Sequence, residues 1–327
     1  MIGAVDIGGT KIAVGMVNDS GKVLTRTQTA TDPHDYAAGI EQIASMLRKA
    51  AADAGEISGI GIGSTGPVDP MDGEFGDVDF LPGWRGKKIV NDLAEIFNVT
   101  VALENDGDAA ALAEAGWGAG RHRSRLIYVT VGTGIGGGII LDGKLYRGVD
   151  GAHPEIGHQV IDPAGPECTC GFRGCWESLA AGPAMVAWYK NRNPAHDDAI
   201  TAKRICELAQ QGDALALEAV EHEALYLGLG LANLINLFAP DAIVLSGSLM
   251  KSAPLFLDRI RDVIRSGCGF VPAEKMELSL ASLGEDANLI GAARVWHYRF
   301  GAASEHTAER VSSRIAHRKK LAKGTRK

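Results

Sequence analysis

The sequence lacks a long apolar run, a signal-like N-terminus and a Pro- or Ser-rich linker. Its longest apolar runs fall far short of the ~20 residues that a membrane-spanning helix needs, which argues against such a helix. Residues 1–6 begin directly as a strand, without the basic and apolar segments of a secretory signal. We therefore predict a cytoplasmic protein, and 327 residues of ordinary composition suggest about two domains.

The charge is low overall and unevenly distributed. The whole chain carries −7, residues 308–327 carry +7, and residues 1–307 therefore carry −14. An acidic body argues against nucleic acid as the main partner. The basic end is either a solvated tail or a weak electrostatic contact for RNA or an anionic surface.

Cysteine is scarce, yet three of the five cysteines lie within eight residues: Cys168, Cys170 and Cys175. His158 lies ten residues upstream of the first. Two interpretations remain open, a tetrahedral zinc site and a disulfide or redox group. A cluster in a chain that looks cytosolic favours the metal. Four protein ligands would leave no open position, so such a zinc would be structural.

The chain contains an internal repeat. The segments that begin at Val5 and at Val129 both predict a strand, a glycine loop, a strand, a hairpin turn and another strand, 124 residues apart. Helical spacing and strand-like runs alternate elsewhere, which indicates an α/β fold of two similar domains. The predicted helices are 36–52, 89–97, 109–115, 202–211, 213–238, 255–265 and 289–300, and the further strands are 57–63, 99–103 and 242–245.

Each repeat carries a glycine loop that can bind an anion through backbone N–H groups. The first is Asp6-Ile-Gly8-Gly9-Thr10-Lys11, in which Thr10 and Lys11 add donors and Asp6 can hold a hydrated magnesium ion. The alternative is an ordinary glycine hairpin. The second loop, which contains Gly132, Thr133, Gly134 and Gly136, has five glycines in the seven residues 132–138. Two equivalent loops predict a nucleotide bound by one loop from each domain.

Carboxylates supply the remaining candidate chemistry. Asp106 follows a strand and is placed to act as a general base in phosphoryl transfer, although it or Asp108 can instead cap the next helix. Glu155 and Glu177 flank the cysteine cluster, and carboxylates suit the recognition of a polyol. The alternative for each glutamate is a solvated surface position.

Together these segments resemble the ROK family of bacterial sugar kinases and repressors. The motifs follow the family's order over residues 1 to about 300, and the pairing of Glu-x-Gly-His with Cys-x-Cys-x-x-x-x-Cys is highly specific. The matching segments are Asp6–Lys11, Ser64–Val68, Leu81–Trp84, Asn105-Asp106, Gly132–Gly136, Glu155–His158, Cys168–Cys175 and Glu177.

The resemblance implies a two-lobed actin/hexokinase-like (ribonuclease H-like) ATPase fold and phosphorylation of a hexose, typically at its 6-hydroxyl, with ATP and Mg²⁺. It implies that Asp106 is the catalytic base and that Gly66, Asn105, Glu155, His158 and Glu177 bind the sugar. Asp6, Gly8, Gly9, Thr10, Lys11, Gly132, Thr133, Gly134, Gly136 and Gly247 would bind the nucleotide, and His158 with the three cysteines would bind zinc.

The implied domains are residues 1–118 with the helix 289–302, residues 119–288, and a basic tail 303–327. The resemblance also implies a homodimer or homotetramer. Phe80 stands where the family often has Asn, and Asp108 where Asn is usual. His153-Pro154 is more typical of fructokinase-like members, whereas the zinc spacing and Leu-Pro-Gly-Trp are more typical of glucokinases.

The sugar therefore stays open among glucose, mannose, fructose, N-acetylglucosamine and N-acetylmannosamine. A non-enzymatic alternative is a ROK-type sugar sensor without a DNA-binding domain. Asp6 lies almost at the first residue, which leaves no room before it for the helix-turn-helix segment of a repressor. The presence of Asp106 and of both glycine loops favours the kinase.

Overall fold

The computed structural model describes residues 1–193 and 197–301. The chain divides into two compact units, and the division follows Ala109 and precedes Asp286. The first unit contains residues 1–109 and the described residues from 286 onward, and the second contains residues 110–285. Within the described ranges no helix is both long and apolar enough to cross a membrane. The predicted basic tail, 303–327, lies outside them.

The first unit is built on a five-stranded sheet. Its first three strands form an antiparallel meander, and two later strands add in parallel to the first, giving the order β3-β2-β1-β4-β7. A separate short pair, β5 and β6, follows β4. The strands are β1 Ile2–Ile7, β2 Lys11–Val17, β3 Val23–Ala30, β4 Gly59–Ser64, β5 Val68–Asp69, β6 Glu74–Phe75 and β7 Thr100–Asn105.

The register of the parallel strands decides where their following loops lie. Ile7 of β1 pairs with Ser64 of β4, and Ser64 pairs with Asn105 of β7, so the three strands end level with one another. Adjacent strands lie about 4.8 Å apart. The loops that follow β1 and β4 and the helix α3 that follows β7 therefore start side by side at one edge of the sheet.

Three helices follow these strands: α1 Tyr36–Ala54, α2 Ile89–Phe97 and α3 Asp106–Trp117. Asp35 caps α1 by accepting a hydrogen bond from the N–H of Ala38, and the buried face of α1 recurs at helical spacing. Asn98 ends α2 in the left-handed conformation. The core of this unit gathers around Trp84, which is fully buried.

The second unit repeats the topology. Its sheet has the order β10-β9-β8-β11-β12, with an antiparallel meander followed by two parallel strands. This confirms the duplication that the two glycine loops predicted. The strands are β8 Leu126–Val131, β9 Ile135–Leu141, β10 Lys144–Leu145, β11 Ala242–Ser246 and β12 Glu277–Leu280.

The helices of the second unit pack around the long α7, and the C-terminal helix α9 packs on the first unit. Leu289, Ala292 and Ala293 of α9 are buried against β1 and β2, and the Trp296 indole N–H donates to Thr100 Oγ1 at 2.8 Å. The helices are α4 Trp176–Ala180, α5 Gly182–Arg192, α6 Ala202–Gln210, α7 Ala214–Phe238, α8 Leu257–Gly267 and α9 Ala287–Phe300.

Candidate active site

Asp106 lies at the carboxyl end of β7, as the first residue of α3, and its side chain is exposed. Asp106 Oδ1 accepts a hydrogen bond from the N–H of Gly107 at 2.8 Å, and Asn105 Oδ1 accepts from the same N–H at 2.8 Å. An N-cap side chain makes the same kind of bond, because it accepts from the backbone N–H two or three residues later. Asn105 thus shares the capping role that the sequence left open for Asp106 and Asp108. A carboxylate at a helix N-terminus is stabilised by the helix dipole.

The absence of a side chain at Gly66 leaves space for the side chain of Asn105. A Cβ built on Gly66 would lie 2.8 Å from Asn105 Nδ2. Gly66 follows β4 and Asn105 ends the adjacent β7, so the register of the sheet brings the two residues together. The structure therefore groups Gly66, Asn105 and Asp106 at one sheet edge.

The first glycine loop leaves the same edge, after β1. The Gly8 N–H donates to the Lys11 carbonyl at 2.9 Å, and Thr31 Oγ1 donates to the Gly8 carbonyl at 2.8 Å, which fixes the loop. Thr10 and Lys11 are exposed. Their hydroxyl and ammonium groups are therefore accessible from solvent.

Asp6 is buried just before this loop. Its Oδ2 accepts a hydrogen bond from Asn288 Nδ2 at 3.1 Å. Burial raises the pKa of Asp6, and the bond from Asn288 and the charges of Lys11 and Arg26 partly oppose that rise. Protein sites for Mg²⁺ use one or two carboxylates together with substrate phosphates. A single carboxylate beside a glycine loop with an exposed Thr10 and Lys11 fits that pattern.

The second glycine loop follows β8 in the second unit. Its ends are fixed from one segment: the Gly182 N–H donates to the Gly132 carbonyl at 2.8 Å, and Glu177 Oε2 accepts from the Ile135 N–H at 2.8 Å. Gly247 adopts a left-handed φ of 97° and lies against Val131, and Ser248 Oγ is 3.4 Å from a Cβ built on Gly132. The structure thus places Gly247 beside this loop.

The predicted metal ligands converge. The ligand atoms of His158, Cys168, Cys170 and Cys175 all lie within 4.8 Å of one another. Cys168 Sγ is 3.5 Å from His158 Nδ1, and Cys170 Sγ is 3.5 Å from Cys175 Sγ. With a Zn–S bond of about 2.3 Å, tetrahedral geometry separates two sulfurs by about 3.8 Å. The cluster therefore fits a structural zinc.

All five cysteines are free thiols in this structure, and the convergence of His158 with three of them favours the metal over a disulfide or redox group. Cys206 and Cys268 are buried away from the cluster in the hydrophobic core. Burial, with hydrogen bonds to Cys170 and Cys168, raises the pKa of the Cys175 thiol. A cation at the centre of the cluster favours the thiolate form instead.

Glu155, His158 and Glu177 lie near one another in the second unit. Glu155 is exposed and begins the turn Ile156–His158, which packs on β9. Glu177 contacts Ile135, the first residue of the same strand. The turn that follows Glu155 and the helix that carries Glu177 thus both pack on β9, and His158 and Cys175 lie at the ends of these two segments.

Two contacts had no signal in the sequence. One is the bond from the Ile135 N–H to Glu177, which joins residues 42 positions apart. The other is the packing of Phe80 on Gly9: a Cβ built on Gly9 would lie 2.7 Å from Phe80 Cβ. Each depends on how separate segments pack, which motif spacing does not encode.

Comparison with known proteins places the chain in a family. The ROK family model matches residues 2–299. The chain is 36% identical to a glucokinase from Streptomyces coelicolor, over 88% of this chain and 95% of that protein. A ROK hexokinase structure from Thermus thermophilus matches with a TM-score of 0.79 and 34% identity, over 90% of this chain and 97% of that one.

A ROK glucokinase from Streptomyces griseus, solved with glucose and AMPPNP, matches with a TM-score of 0.72 and 36% identity, over 89% of this chain and 97% of that one. Other relatives are an N-acetylmannosamine kinase from Yersinia pestis, 33% identical over 89% of this chain and 96% of that protein, and a xylose repressor from Bacillus subtilis, 35% identical over 71% of this chain and 59% of that protein. The resemblance stated from the motifs is thereby confirmed: the chain belongs to the ROK family and has its actin/hexokinase-like fold.

Proposed function

We propose that this sugar kinase transfers the γ-phosphate of ATP to the 6-hydroxyl of glucose or a closely related hexose. The observation that carries the proposal is the position of Asp106. It is an exposed carboxylate at the carboxyl end of a parallel strand, bonded locally to Gly107 and level with the end of the strand that carries the first glycine loop.

Asp106 acts as the general base. It accepts the proton of the hexose hydroxyl as that oxygen attacks the phosphorus atom, and the bond from the Gly107 N–H orients the carboxylate. General-base catalysis contributes about 10²–10⁴-fold in rate. The remaining acceleration comes from holding the two substrates in line and neutralising charge.

The phosphates are bound by the two glycine loops through Gly8, Gly9, Thr10 and Lys11, and through Gly132, Thr133, Gly134 and Gly136. Gly247 lies near the nucleoside. Asp6 would hold a hydrated Mg²⁺, and the cation would supply neutralisation of phosphate charge. Burial raises the pKa of the Asp6 carboxyl group. A nearby cation would oppose that rise, because it favours the charged carboxylate.

The hexose hydroxyls are bound by Gly66, Asn105, Glu155, His158 and Glu177. Carboxylates and the Asn amide accept and donate several hydrogen bonds each, which suits a polyol. His158 also belongs to the zinc cluster, and a structural zinc would fix its ring. We further propose that the enzyme acts in the cytoplasm as a homodimer or homotetramer, with the hexose and ATP rather than nucleic acid as its partners.

The competing assignments are an N-acetylmannosamine or N-acetylglucosamine kinase and a fructokinase. The similarity to the Yersinia pestis enzyme supports the first of these. An N-acetylhexosamine kinase needs more space around the 2-position of the sugar than a glucokinase does, since an N-acetyl group is much larger than a hydroxyl. A sugar sensor without catalysis is the non-enzymatic alternative, and its hallmark would be sugar binding without turnover.

A coupled ADP-release assay across glucose, mannose, fructose, N-acetylglucosamine and N-acetylmannosamine tests the proposal. We expect glucose or mannose to give the highest kcat/KM, and the product to carry phosphate on its 6-oxygen. Turnover confined to an N-acetylated sugar or to fructose would reassign the substrate. Sugar binding without ADP release would reject the kinase and support the sensor.

A further inference from the structure

Glu177 is bonded to the second glycine loop rather than left open to the sugar alone. Its Oε2 accepts a hydrogen bond from the Ile135 N–H at 2.8 Å, at the residue where the loop ends and β9 begins. A Cβ on Gly134 would overlap the same oxygen. The glycine at 134 therefore admits the carboxylate to the loop.

We propose that Glu177 is a positioning residue for nucleotide binding, and that the zinc cluster acts on the triphosphate loop through it. The proposal rests on the proposed function of that loop in phosphate binding. It gives Glu177 a role that does not depend on which sugar the enzyme takes. The same role predicts that nucleotide affinity responds to zinc.

The second glycine loop is held at both ends from one short segment. The Ile135 N–H donates a hydrogen bond to Glu177, and the Gly182 N–H donates one to the Gly132 carbonyl at 2.8 Å. Two residues lie between these points: Thr133, which is exposed, and Gly134, which is half-buried. A segment that fixes both ends of a glycine loop sets its curvature, because glycine itself restricts the backbone least.

That segment is in turn anchored by the cysteine cluster and the core. Cys175 is the N-cap residue of α4, two positions before Glu177, and Ser178 Oγ donates to its carbonyl at 2.8 Å. Trp176, fully buried between them, donates its backbone N–H to Gln159 and its indole N–H to the Tyr226 carbonyl at 2.9 Å. A metal bound to Cys175 would fix the start of this helix, and loss of the metal would free it.

The sign of the charge separates positioning from attraction. A carboxylate beside a triphosphate repels it, so Glu177 cannot improve nucleotide affinity through its charge. It can do so by holding the Ile135 N–H and hence the loop. A glutamine at 177 keeps a carbonyl oxygen for that bond and removes the charge, whereas an alanine removes the bond.

Calorimetric titration with Mg·AMPPNP in the absence of sugar tests the proposal on Glu177→Ala, Glu177→Gln and the control Glu218→Ala. We expect Glu177→Ala to weaken nucleotide binding about tenfold, the range for losing a hydrogen bond to a charged group. Glu177→Gln should stay within about twofold of the wild type. Glu218→Ala is the control, because Glu218 is exposed on α7 and belongs to neither glycine loop, the cysteine cluster nor the proposed sugar site. Unchanged nucleotide affinity in Glu177→Ala would overturn the proposal.

The coupling to zinc is tested by chelation. Removing the metal should weaken nucleotide binding by the wild-type protein and have little further effect on Glu177→Ala. An equal loss in both proteins would show that the zinc cluster does not act through Glu177. Amide hydrogen exchange gives a second readout if a variant is unstable, since exchange at Ile135 should accelerate in Glu177→Ala while exchange in β11 stays slow. Because no sugar is added, failure of the hexose assignment leaves these outcomes interpretable.

Discussion

Phe80 occupies the space that a side chain on Gly9 would need. A Cβ on Gly9 would lie 2.7 Å from Phe80 Cβ, and the backbone of Gly9 is not in the left-handed region. The requirement for glycine at this position is therefore one of space. Leu81 and Trp84, which follow Phe80 in the chain, are fully buried, while 68% of Phe80 itself stays exposed.

A compensating pair of substitutions tests this contact. Gly9→Ala should lower the free energy of unfolding by about 1–3 kcal/mol, the usual cost of overpacking. Phe80→Gly removes the Cβ in question, so the double variant should recover part of the loss. Gly8→Ala is the control, because a Cβ on Gly8 would lie 3.4 Å from its nearest neighbour, the Lys11 carbonyl oxygen. Denaturant unfolding without ligands measures the wild type and all four variants, and strict additivity of the two substitutions would contradict the contact.

Gly66→Ala should impair sugar binding more than nucleotide binding. The new methyl group would lie 2.8 Å from Asn105 Nδ2 and would displace an amide that we assign to the hexose. We expect the KM for the hexose to rise about tenfold, the range for one lost hydrogen bond to a polar ligand. The KM for ATP should be unchanged. Gly269→Ala, where a Cβ would meet nothing within 4 Å, is the control; an equal rise in both Michaelis constants would argue against this role for Asn105.

Cys170→Ser should remove the metal and lower stability together, because metal binding and folding are coupled in such clusters. We expect the purified wild-type protein to hold about one zinc per chain and the variant to hold almost none. The Tm should fall by about 5 °C or more. Cys268→Ser is the matched control, since Cys268 is buried in the core away from the cluster. Elemental analysis that finds no zinc in the wild type would overturn the assignment.

Glu223 should make the protein less stable as the pH rises. It is fully buried in α7, and within the described residues neither of its carboxyl oxygens has a hydrogen-bond partner. Burial raises its pKa well above the ordinary carboxyl value of 4.5. The folded state therefore keeps a proton that the unfolded state releases, so stability falls from about pH 4.5 upward until the folded-state pKa is passed.

Glu223→Gln removes this dependence. The difference in unfolding free energy between the variant and the wild type should grow in the variant's favour with pH, at up to about 1.4 kcal/mol per pH unit. Glu218→Gln, an exposed position on the same helix, should leave the pH dependence unchanged. Parallel stability curves for Glu223→Gln and the wild type from pH 5 to pH 9 would contradict the buried, protonated state.

The sequence predicted the elements whose periodicity is strong. Helix α2 was predicted at its observed bounds, 89–97, and in the structure Asn98 ends it in the left-handed conformation. Helices α4 and α5 were not predicted. The first has only five residues, and the apolar residues of the second do not gather on one face. Strand β12 was also missed, since its four residues are exposed or half-buried and carry no buried run.

For the candidate site, motif spacing was sufficient wherever the residues are close in sequence. His158 and the three cysteines converge as predicted, because they share one short segment. Contacts across the chain were not predictable in the same way. Glu177 was assigned to the sugar alone, and its bond to Ile135 depends on how α4 packs beside β9.

The most direct test of the central claim is the turnover of Asp106→Asn measured beside its affinity for the hexose. Asparagine keeps the shape of the side chain and an oxygen for the Gly107 N–H, but it cannot accept the hydroxyl proton. We predict that kcat falls by about 10²-fold or more while the Kd for the hexose changes less than about threefold. A variant that turns over at the wild-type rate would contradict the assignment of Asp106 as the base.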